Sequence, residues 1–418
     1  MNWTANQPVR ARRIINAWPL PLWGWLFVCA LTVGNFNTEI VPTPVDGNSL
    51  NQLLVTSLFF GIGAYGFTRH FGLFLKEKAA LALFLLCFLS LASTAWSDVP
   101  SQSVLKGTSF LAGLFAVLVF VSRLSGAELL LGIFWGTTIS LALSIAAAVM
   151  YPDIAQHDVV VANADAWRGI FPQKNVLGRG AMIVFCSGFT LLASASTRRW
   201  VYLAPMSAAG YLLVMSESST SIVGCAAFAV AYPALALLMR TRGYKAVILT
   251  VLLAMASVIL LASLSYIVDS VTSLFGKDLT FTGRSFLWVN LLEDYLKQPF
   301  LGYGTGAYFS ERRVSQFDLQ LGWDADNAHN GLIELALELG AVGLGLFLLT
   351  FWLVSSRVRR VASHDSGLLQ LFLFLVPVLV LQNLMESTLM RPTNIIWLAF
   401  VALALKAALD MRALRRKA

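Results

Sequence analysis

A histidine lies where the longest polar segment of the chain meets an apolar run. His329 is followed by Asn330, and the apolar run continues to about Val354. An Asn side chain accepts hydrogen bonds from the first free amides of a helix, so Asn330 is a predicted N-cap. The positive end of the helix dipole disfavours imidazolium, so we expect a neutral ring that accepts a proton, as a general base does. Asp326 is the candidate that orients this ring, and a membrane-interface histidine is the alternative interpretation.

Three basic residues lead into a second predicted helix entry. Arg168, Lys174 and Arg179 are spread through a segment that also contains Gly, Pro and Asn. Free backbone amides at a helix entry favour an anion, and a phosphate fits such a site. The alternative is that these cations reach lipid headgroups at the membrane surface.

A third candidate cation, Arg284, falls in the first turn of a predicted helix over 282–296. A cation is electrostatically unfavourable there, which indicates a functional demand. The apolar positions of this segment have helical spacing, and they predict an outer amphipathic helix near the membrane surface. These positions are Phe286, Leu287, Val289, Leu291, Leu292, Tyr295 and Leu296.

A glycine-rich turn over 299–309 follows this helix. Glycines alternating with other residues, without a preceding strand, are weak evidence for a nucleotide site. Tyr303 is one of several aromatic residues here that could stack on sugar rings, although aromatic residues are common near membrane surfaces. The others are Trp288, Tyr308, Phe309, Phe317 and Trp323.

Carboxylates within or beside apolar runs are energetically expensive and suggest function. Glu334 and Glu338 are one turn apart on the helix after His329 and therefore share a face. Glu217 lies between two apolar runs and Glu386 interrupts another. For Glu217 and Glu386, a buried structural hydrogen bond is an equally good interpretation.

Composition determines the class of protein that positions these residues. Hydrophobic residues make up 57% of the chain and charged residues 12%, and the mean hydropathy is +0.72. These values exclude a soluble globular protein and predict an all-α polytopic membrane protein. Apolar runs long enough to cross a bilayer predict about 12 transmembrane helices. They are Ala17 to Phe36, Asn51 to Thr68, Ala79 to Trp96, Leu105 to Ser122, Ala127 to Met150, Val176 to Ala195, Val201 to Ser216, Ser219 to Met239, Ala246 to Tyr266, Gly331 to Ser355, Leu368 to Leu389 and Asn394 to Leu409.

Basic residues predict the orientation of these helices. Two thirds of the 30 Lys and Arg residues fall in segments that this count places on the inside, which predicts that both termini are cytoplasmic. The exceptions cluster in two outer loops, 151–175 and the larger 267–330. We expect one membrane domain over 1–418 that carries both loops, with the first apolar run an uncleaved anchor.

Cysteine spacing indicates no special chemistry. The four cysteines lie inside apolar runs without CxxC spacing, so we expect packing roles, with neither a disulfide framework nor a zinc site.

Three of these segments together carry a family resemblance. The stretch from Arg284 to Trp288, the turn Pro299-Phe-Leu-Gly-Tyr-Gly-Thr-Gly, and the run from Asn327-Ala-His-Asn-Gly to Glu338-Leu-Gly-Ala-Val-Gly resemble the O-antigen ligase and polymerase superfamily. The resemblance implies a bacterial inner-membrane glycosyltransferase with a periplasmic active site. Its implied donor is an undecaprenyl-diphosphate-linked glycan, and it implies neither a cofactor, a nucleotide sugar nor a metal. His329 then corresponds to the catalytic histidine and Arg284 to the arginine that contacts the diphosphate.

One departure from the family pattern favours a polymerase over a ligase. Ligases of this family usually have an arginine in a Ser-Arg pair between helices seven and eight, whereas this chain has Ser218-Ser219. The segment with Arg168 and Lys174 is similar to that of succinoglycan-type exopolysaccharide polymerases, and either residue could supply the missing cation. A ligase acting on lipid A core or another acceptor is the second hypothesis. A transporter is the third, for which paired broken helices with midplane charges are expected.

The resemblance and the charges together define the expected site and partners. Besides the catalytic pair His329 and Arg284, we expect residues that bind the diphosphate or the glycan. These residues are Arg168, Lys174, Arg179, Asn330, Asp326, Glu217, Glu338 and Tyr303. The expected partners are the lipid-linked donor, a glycan acceptor and membrane lipids, with a chain-length regulator as a further candidate and no nucleic acid.

Overall fold

A computed structural model describes residues 49–156, 166–194, 199–241, 282–310, 313–315, 317 and 325–417. Within these ranges the regular structure is helical, and the only β pairing is an isolated antiparallel bridge between Gln156 and Trp167. The all-α prediction is therefore confirmed for the described part of the chain. The helices are α1 (Ser49–His70), α2 (Gly72–Lys76), α3 (Lys78–Ala92), α4 (Pro100–Val121), α5 (Gly126–Met150), α6 (Pro152–Ala155), α7 (Lys174–Ser194), α8 (Leu203–Met215), α9 (Ser219–Arg240), α10 (Thr282–Lys297), α11 (Gly331–Val361), α12 (Ser366–Met385) and α13 (Ile395–Lys417).

Seven helices of the described part are long and apolar enough to cross a membrane, as a polytopic membrane protein requires. They are α3 with the turn that follows it, α4, α5, α7, α9, α11 and α12. Helices α1, α8 and α13 also coincide with predicted spans. The predicted spans Ala17 to Phe36 and Ala246 to Tyr266 lie outside the described residues.

Helix α12 lies at the centre of the bundle. In its most apolar stretch, 72% of the residues are buried. A helix that is apolar on every side is expected to be surrounded by other helices in this way. The first turns of α5 and α12 contact each other at two glycines: Gly126 lies against Leu368, and Gly367 lies against Ala127. A Cβ added at Gly126 would lie 2.3 Å from the amide nitrogen of Leu368. Small residues at this crossing therefore let the two backbones touch.

Successive long helices run between two ends of the bundle, the Glu77 end and the His329 end. Glu77 precedes α3, and its carboxylate accepts a hydrogen bond of 3.0 Å from Arg415 near the end of α13. Arg357, late in α11, is close enough to Glu77 for their charges to interact. Asn330 starts α11 at the other end, where α12 terminates at Glu386 beside His329. The positive-inside rule predicts that the Glu77 end is cytoplasmic.

A second, smaller hydrophobic core lies beside the His329 end. It contains residues of α10, the glycine-rich turn and the first turns of α11. Leu287 and Leu291 are fully buried in it, whereas Phe286, Val289 and Leu292 are more than half exposed. The predicted amphipathic helix therefore exists, but its apolar positions form two faces. One face packs on the protein and only the other is available to a membrane surface.

Helix α11 is interrupted at Gly340, although the sequence predicts one continuous apolar run. Gly340 has φ +63° and ψ −165°, a conformation that is essentially restricted to glycine. The turn that follows α10 enters this break. The amides of Ala341 and Tyr303 donate to the carbonyls of Pro299 (2.7 Å) and Leu337 (2.9 Å), respectively. The break thus fixes the glycine-rich turn to α11, next to the predicted site.

Candidate functional site

His329 occupies a strained position immediately before α11. Its φ of +46° is uncommon for a residue with a side chain. The Asn327 side chain accepts a hydrogen bond of 2.9 Å from the His329 amide. Asn330 caps the helix as predicted, because its side-chain oxygen accepts from the amides of Leu332 (3.0 Å) and Ile333 (3.2 Å). These local hydrogen bonds hold the histidine at the positive end of the helix dipole.

The carboxylate beside the imidazole belongs to Glu386 and not to the predicted Asp326. The His329 Nδ1 lies 3.4 Å from the Glu386 Oε2, and both side chains are mostly buried. Asp326 is exposed, and one of its carboxylate oxygens accepts from the Asn327 side chain. Proximity in sequence suggested Asp326, whereas the end of α12 brings a residue 57 positions later to the ring.

Asn383 holds the backbone that carries Glu386. Its side-chain oxygen accepts from the amides of Thr388 (3.0 Å) and Leu389 (2.8 Å), which closes the turn after α12. The same side chain packs against the first residue of α11, where a Cβ added at Gly331 would lie 2.0 Å from the Asn383 Oδ1. The turn with Glu386 and the start of α11 are therefore positioned by one residue.

Residues 325–330, which precede α11 and contain His329, are called the histidine loop. Glu334, in the first turn of α11, joins this loop to Arg391. One of its carboxylate oxygens accepts from the Arg391 guanidinium at 2.7 Å, and the other accepts from the Ala328 amide at 3.2 Å. The pKa of Arg391 is raised, first by the Glu334 carboxylate and further by Glu338 and Asp326, which outweigh the effect of burial. Arg391 precedes α13 and lies outside the predicted site residues, so the structure adds it to the site.

Arg179 approaches the same cluster from the first turns of α7. Its guanidinium is close enough to Glu386 and Arg391 to feel their charges. Its Nε is buried and has no hydrogen-bond partner among the residues that the structure describes, and the same holds for the Nε of Arg391. Arg179 of α7 and Arg391 of the loop before α13 therefore both lie near carboxylates of the His329 end, Arg179 near Glu386 and Arg391 at Glu334.

Glu338 lies one turn below Glu334 and faces the glycine-rich turn. Its carboxylate accepts a hydrogen bond of 2.8 Å from the Gly306 amide, and its charge interacts with that of Lys106 on α4. Tyr303 of the same turn is 5% exposed, and its hydroxyl donates to the Asp294 carbonyl. Arg313 stacks on the Tyr303 ring at 4.6 Å. The ring is thus occupied by packing and is not open to a sugar in this structure.

Helix α10 is attached to the histidine loop through Trp288. Its indole Nε1 donates to the Ala328 carbonyl at 2.8 Å, next in sequence to His329. Arg284 is one turn earlier in α10, and its side chain lies outside the described part of the structure. Helix α10, which carries the predicted diphosphate-binding residue Arg284, is therefore held next to the loop that carries the predicted base.

The remaining predicted residues lie around other helix termini. Lys174 begins α7, and Arg168 lies in the preceding loop, where its amide donates to the Ala155 carbonyl at 2.9 Å. Burial lowers the pKa of Arg168. Glu217 is exposed in the turn between α8 and α9 and has φ +48°. Apart from glycines, positive φ among the described residues occurs at Glu217, His329 and Met390. Two of these three belong to the site: His329 itself, and Met390, which directly precedes Arg391. Backbone strain is often held at functional sites.

A metal would need a cluster of His, Cys, Asp and Glu side chains. Within the described ranges no group of three or more of them could hold a metal ion. The three cysteines described there, Cys87, Cys186 and Cys225, are unpaired thiols inside helices.

Comparison with known proteins bears on the part of the chain that builds this site. Residues 204–348 match the family model described as O-antigen ligase. The chain is also similar to the exopolysaccharide production protein ExoQ of Rhizobium meliloti (strain 1021), with 26% identity over 319 residues. That alignment covers 72% of this chain and 70% of the relative. The predicted resemblance is confirmed, and the family match includes Arg284, the glycine-rich turn and His329.

Proposed function

We propose that this protein is an inner-membrane glycosyltransferase that polymerises undecaprenyl-diphosphate-linked repeat units into a secreted polysaccharide. The family match and the likeness to an exopolysaccharide production protein support a membrane enzyme that acts on lipid-linked glycans. The polymerase assignment depends on the Ser218-Ser219 pair, where a ligase of this family usually has an arginine. The active site would be periplasmic, at the His329 end, with both termini cytoplasmic.

His329 would act as the general base. The placement of a strained histidine between the N-terminus of α11 and the Glu386 carboxylate is the observation that carries this proposal. A proton on Nδ1 would face Glu386, which leaves the Nε2 lone pair to take the proton of the acceptor hydroxyl. Glu386 would then stabilise the imidazolium that forms, as the carboxylate of a catalytic triad does.

The leaving group requires cations more than an acid. The deprotonated acceptor oxygen attacks the anomeric carbon, the bond to the diphosphate oxygen breaks, and the configuration inverts. An inverting glycosidase uses one carboxylic acid to protonate its leaving group. A diphosphate departs as a stable anion, so no such acid is needed here. Arg284, Lys174 and Arg168 would offset the growing negative charge. No metal is assigned to this step.

A ligase is the second candidate, because the matching family model is described as O-antigen ligase. The two activities share donor and chemistry and differ in the acceptor. A polymerase transfers the growing chain to another lipid-linked repeat unit, whereas a ligase transfers it to lipid A core or another acceptor.

Complementation in the host tests the polymerase proposal. We expect a deletion strain to recover long polysaccharide with the wild-type gene and with His364→Ala, because His364 is exposed beyond the far end of α11. His329→Ala should yield single repeat units at normal membrane levels of the protein, and Glu386→Gln should yield much less polymer. Normal polymer from His329→Ala would refute the proposal. Long lipid-linked chains that never reach their acceptor in the deletion strain would instead identify a ligase.

A further inference from the structure

A cleft lies on the last turns of α11, at the Glu77 end of the bundle. Its volume is about 290 Å³, and it is lined by Trp352, Ser355, Ser356, Arg359 and Arg360. These residues are spaced three and four apart, so they share one face of the helix. A water molecule takes about 30 Å³ of liquid volume, so the cleft is large enough for a group of several heavy atoms.

The cleft exists because two small residues lie between larger ones. Ser355 and Ser356 form its floor, with Trp352 on one side and the two arginines on the other. The Ser355 hydroxyl donates to the carbonyl four residues earlier at 2.8 Å, and the Ser356 hydroxyl does the same. The floor is therefore uncharged and already hydrogen-bonded, which leaves the arginines to determine the charge of the cleft.

The two arginines of the cleft have no partner within the described part of the chain. Arg359 and Arg360 are exposed, and neither side chain forms an ion pair or a hydrogen bond there. Buried Arg357 interacts with two arginines, of which Arg360 is one, and with the carboxylate of Glu77. Glu77 is already paired with Arg415 at 3.0 Å. An anion in the cleft would therefore meet two guanidinium groups that no described carboxylate pairs with.

The same helix face becomes apolar towards the middle of the bundle. Leu348, Leu349 and Trp352 are all exposed on it. The distance along the helix axis from Leu348 to Arg359 is about 16 Å at 1.5 Å per residue. Tryptophan is enriched where lipid headgroups meet acyl chains. The face thus presents cations, then an indole, then leucines, which is the order in which a phospholipid presents its phosphate, its glycerol region and its chains.

We propose that this cleft binds one anionic phospholipid of the cytoplasmic leaflet, with its phosphate on the two exposed arginines and an acyl chain along Trp352. Guanidinium groups bind phosphate oxygens through paired N–H donors. The cytoplasmic leaflet carries anionic lipids that attract basic segments beside membrane-spanning helices, and the positive-inside rule places the Glu77 end there. The bound lipid holds the end of α11 opposite His329 at a fixed depth in the membrane. This site does not depend on the proposed glycan chemistry.

Lipid titration of the purified full-length protein in neutral detergent tests the site. The probes are a fluorescent phosphatidylglycerol and a phosphatidylethanolamine with the same chains and label but no net charge. We expect phosphatidylglycerol to bind about tenfold more tightly, and Arg359→Gln and Arg360→Gln each to weaken its binding about five- to tenfold. Ser356→Leu fills the floor and keeps every charge, and it should weaken phosphatidylglycerol binding about tenfold.

Matched controls come from the turn between α4 and α5. Arg123 and Ser122 are exposed there, and the Ser122 hydroxyl also donates to a carbonyl of its own helix. Arg123→Gln removes a cation outside the cleft and Ser122→Leu adds the same bulk outside it. Both variants should bind phosphatidylglycerol like the wild type, and inorganic phosphate should not displace the lipid because it cannot contact Trp352.

Three results would overturn the site. Equal weakening by Arg359→Gln and Arg123→Gln, with Ser356→Leu unchanged, would show only a general attraction between a basic surface and anionic lipid. Equal binding of the two lipids would exclude a site that selects negative charge. Displacement by inorganic phosphate would identify free phosphate as the ligand. Thermal melting without lipid checks that each variant is folded, and Ser355→Leu replaces Ser356→Leu if the latter does not fold.

Discussion

Replacing Gly340 with alanine should detach the glycine-rich turn from α11. A Cβ at this position would lie 2.2 Å from the carbonyl carbon and oxygen of Phe300, so the turn must move. The backbone conformation adds strain of roughly 1–3 kcal/mol for a residue with a side chain. Movement would also weaken four backbone hydrogen bonds across the break, at about 1 kcal/mol each. The total is on the order of 5 kcal/mol, which is as large as the whole stability of many domains.

Gly345→Ala is the matched control, because Gly345 lies in the same helix and an added Cβ would meet nothing within 4 Å. In a helix this change is expected to stabilise by roughly 0.5–1 kcal/mol. Thermal unfolding of both purified variants, followed by limited proteolysis of the turn, makes the comparison. We expect Gly340→Ala to melt well below the wild type and to be cut in the segment 299–306, with polymerisation lost. A Gly340→Ala protein with the same melting temperature as Gly345→Ala and the same resistance to the protease would refute this reasoning.

Two further predictions concern the second hydrophobic core. Trp288→Phe removes the hydrogen bond to the Ala328 carbonyl, worth about 1 kcal/mol, and should lower kcat through a looser histidine loop, whereas exposed Trp352→Phe should not. Burial alone would raise the pKa of Asp294, but hydrogen bonds from Lys297 and Tyr308 and the charge of Arg313 hold it below its ordinary value. Asp294 is therefore stabilising above the ordinary carboxyl pKa of about 3.9, and this stabilisation is lost as the pH falls through the lowered folded value. Asp294→Asn should accordingly lower the Tm at pH 7 by an amount that shrinks below about pH 4, and an equal difference at both pH values would contradict the assignment.

The sequence predicted those features that depend on local pattern. Apolar runs located the helices because a bilayer demands long apolar segments, and Asn330 was identifiable as a cap from its type and position. The amphipathic segment after Thr282 was also recognisable from its spacing, although spacing cannot tell which apolar face meets protein and which meets lipid.

Features that depend on contacts between distant segments could not be predicted. Glu386 lies beside His329 only because α12 ends at the His329 end. Arg391 reaches Glu334 only because the loop that leads into α13 lies at the same end. Gly340 is one of several glycines in an apolar run, and nothing local distinguishes the one whose backbone meets Phe300. Similarly, Tyr303 resembles a sugar-stacking residue in sequence, but the second core uses both its ring and its hydroxyl.

The most direct measurement of the central claim is the initial rate of chain elongation by purified protein on a lipid-diphosphate-linked repeat unit from the host, in the presence of EDTA. We expect a ladder of longer lipid-linked glycans from the wild type, and a rate about 10²–10⁴ times lower for His329→Ala with the same melting temperature. Elongation by His329→Ala at the wild-type rate would contradict the assignment of His329 as the general base.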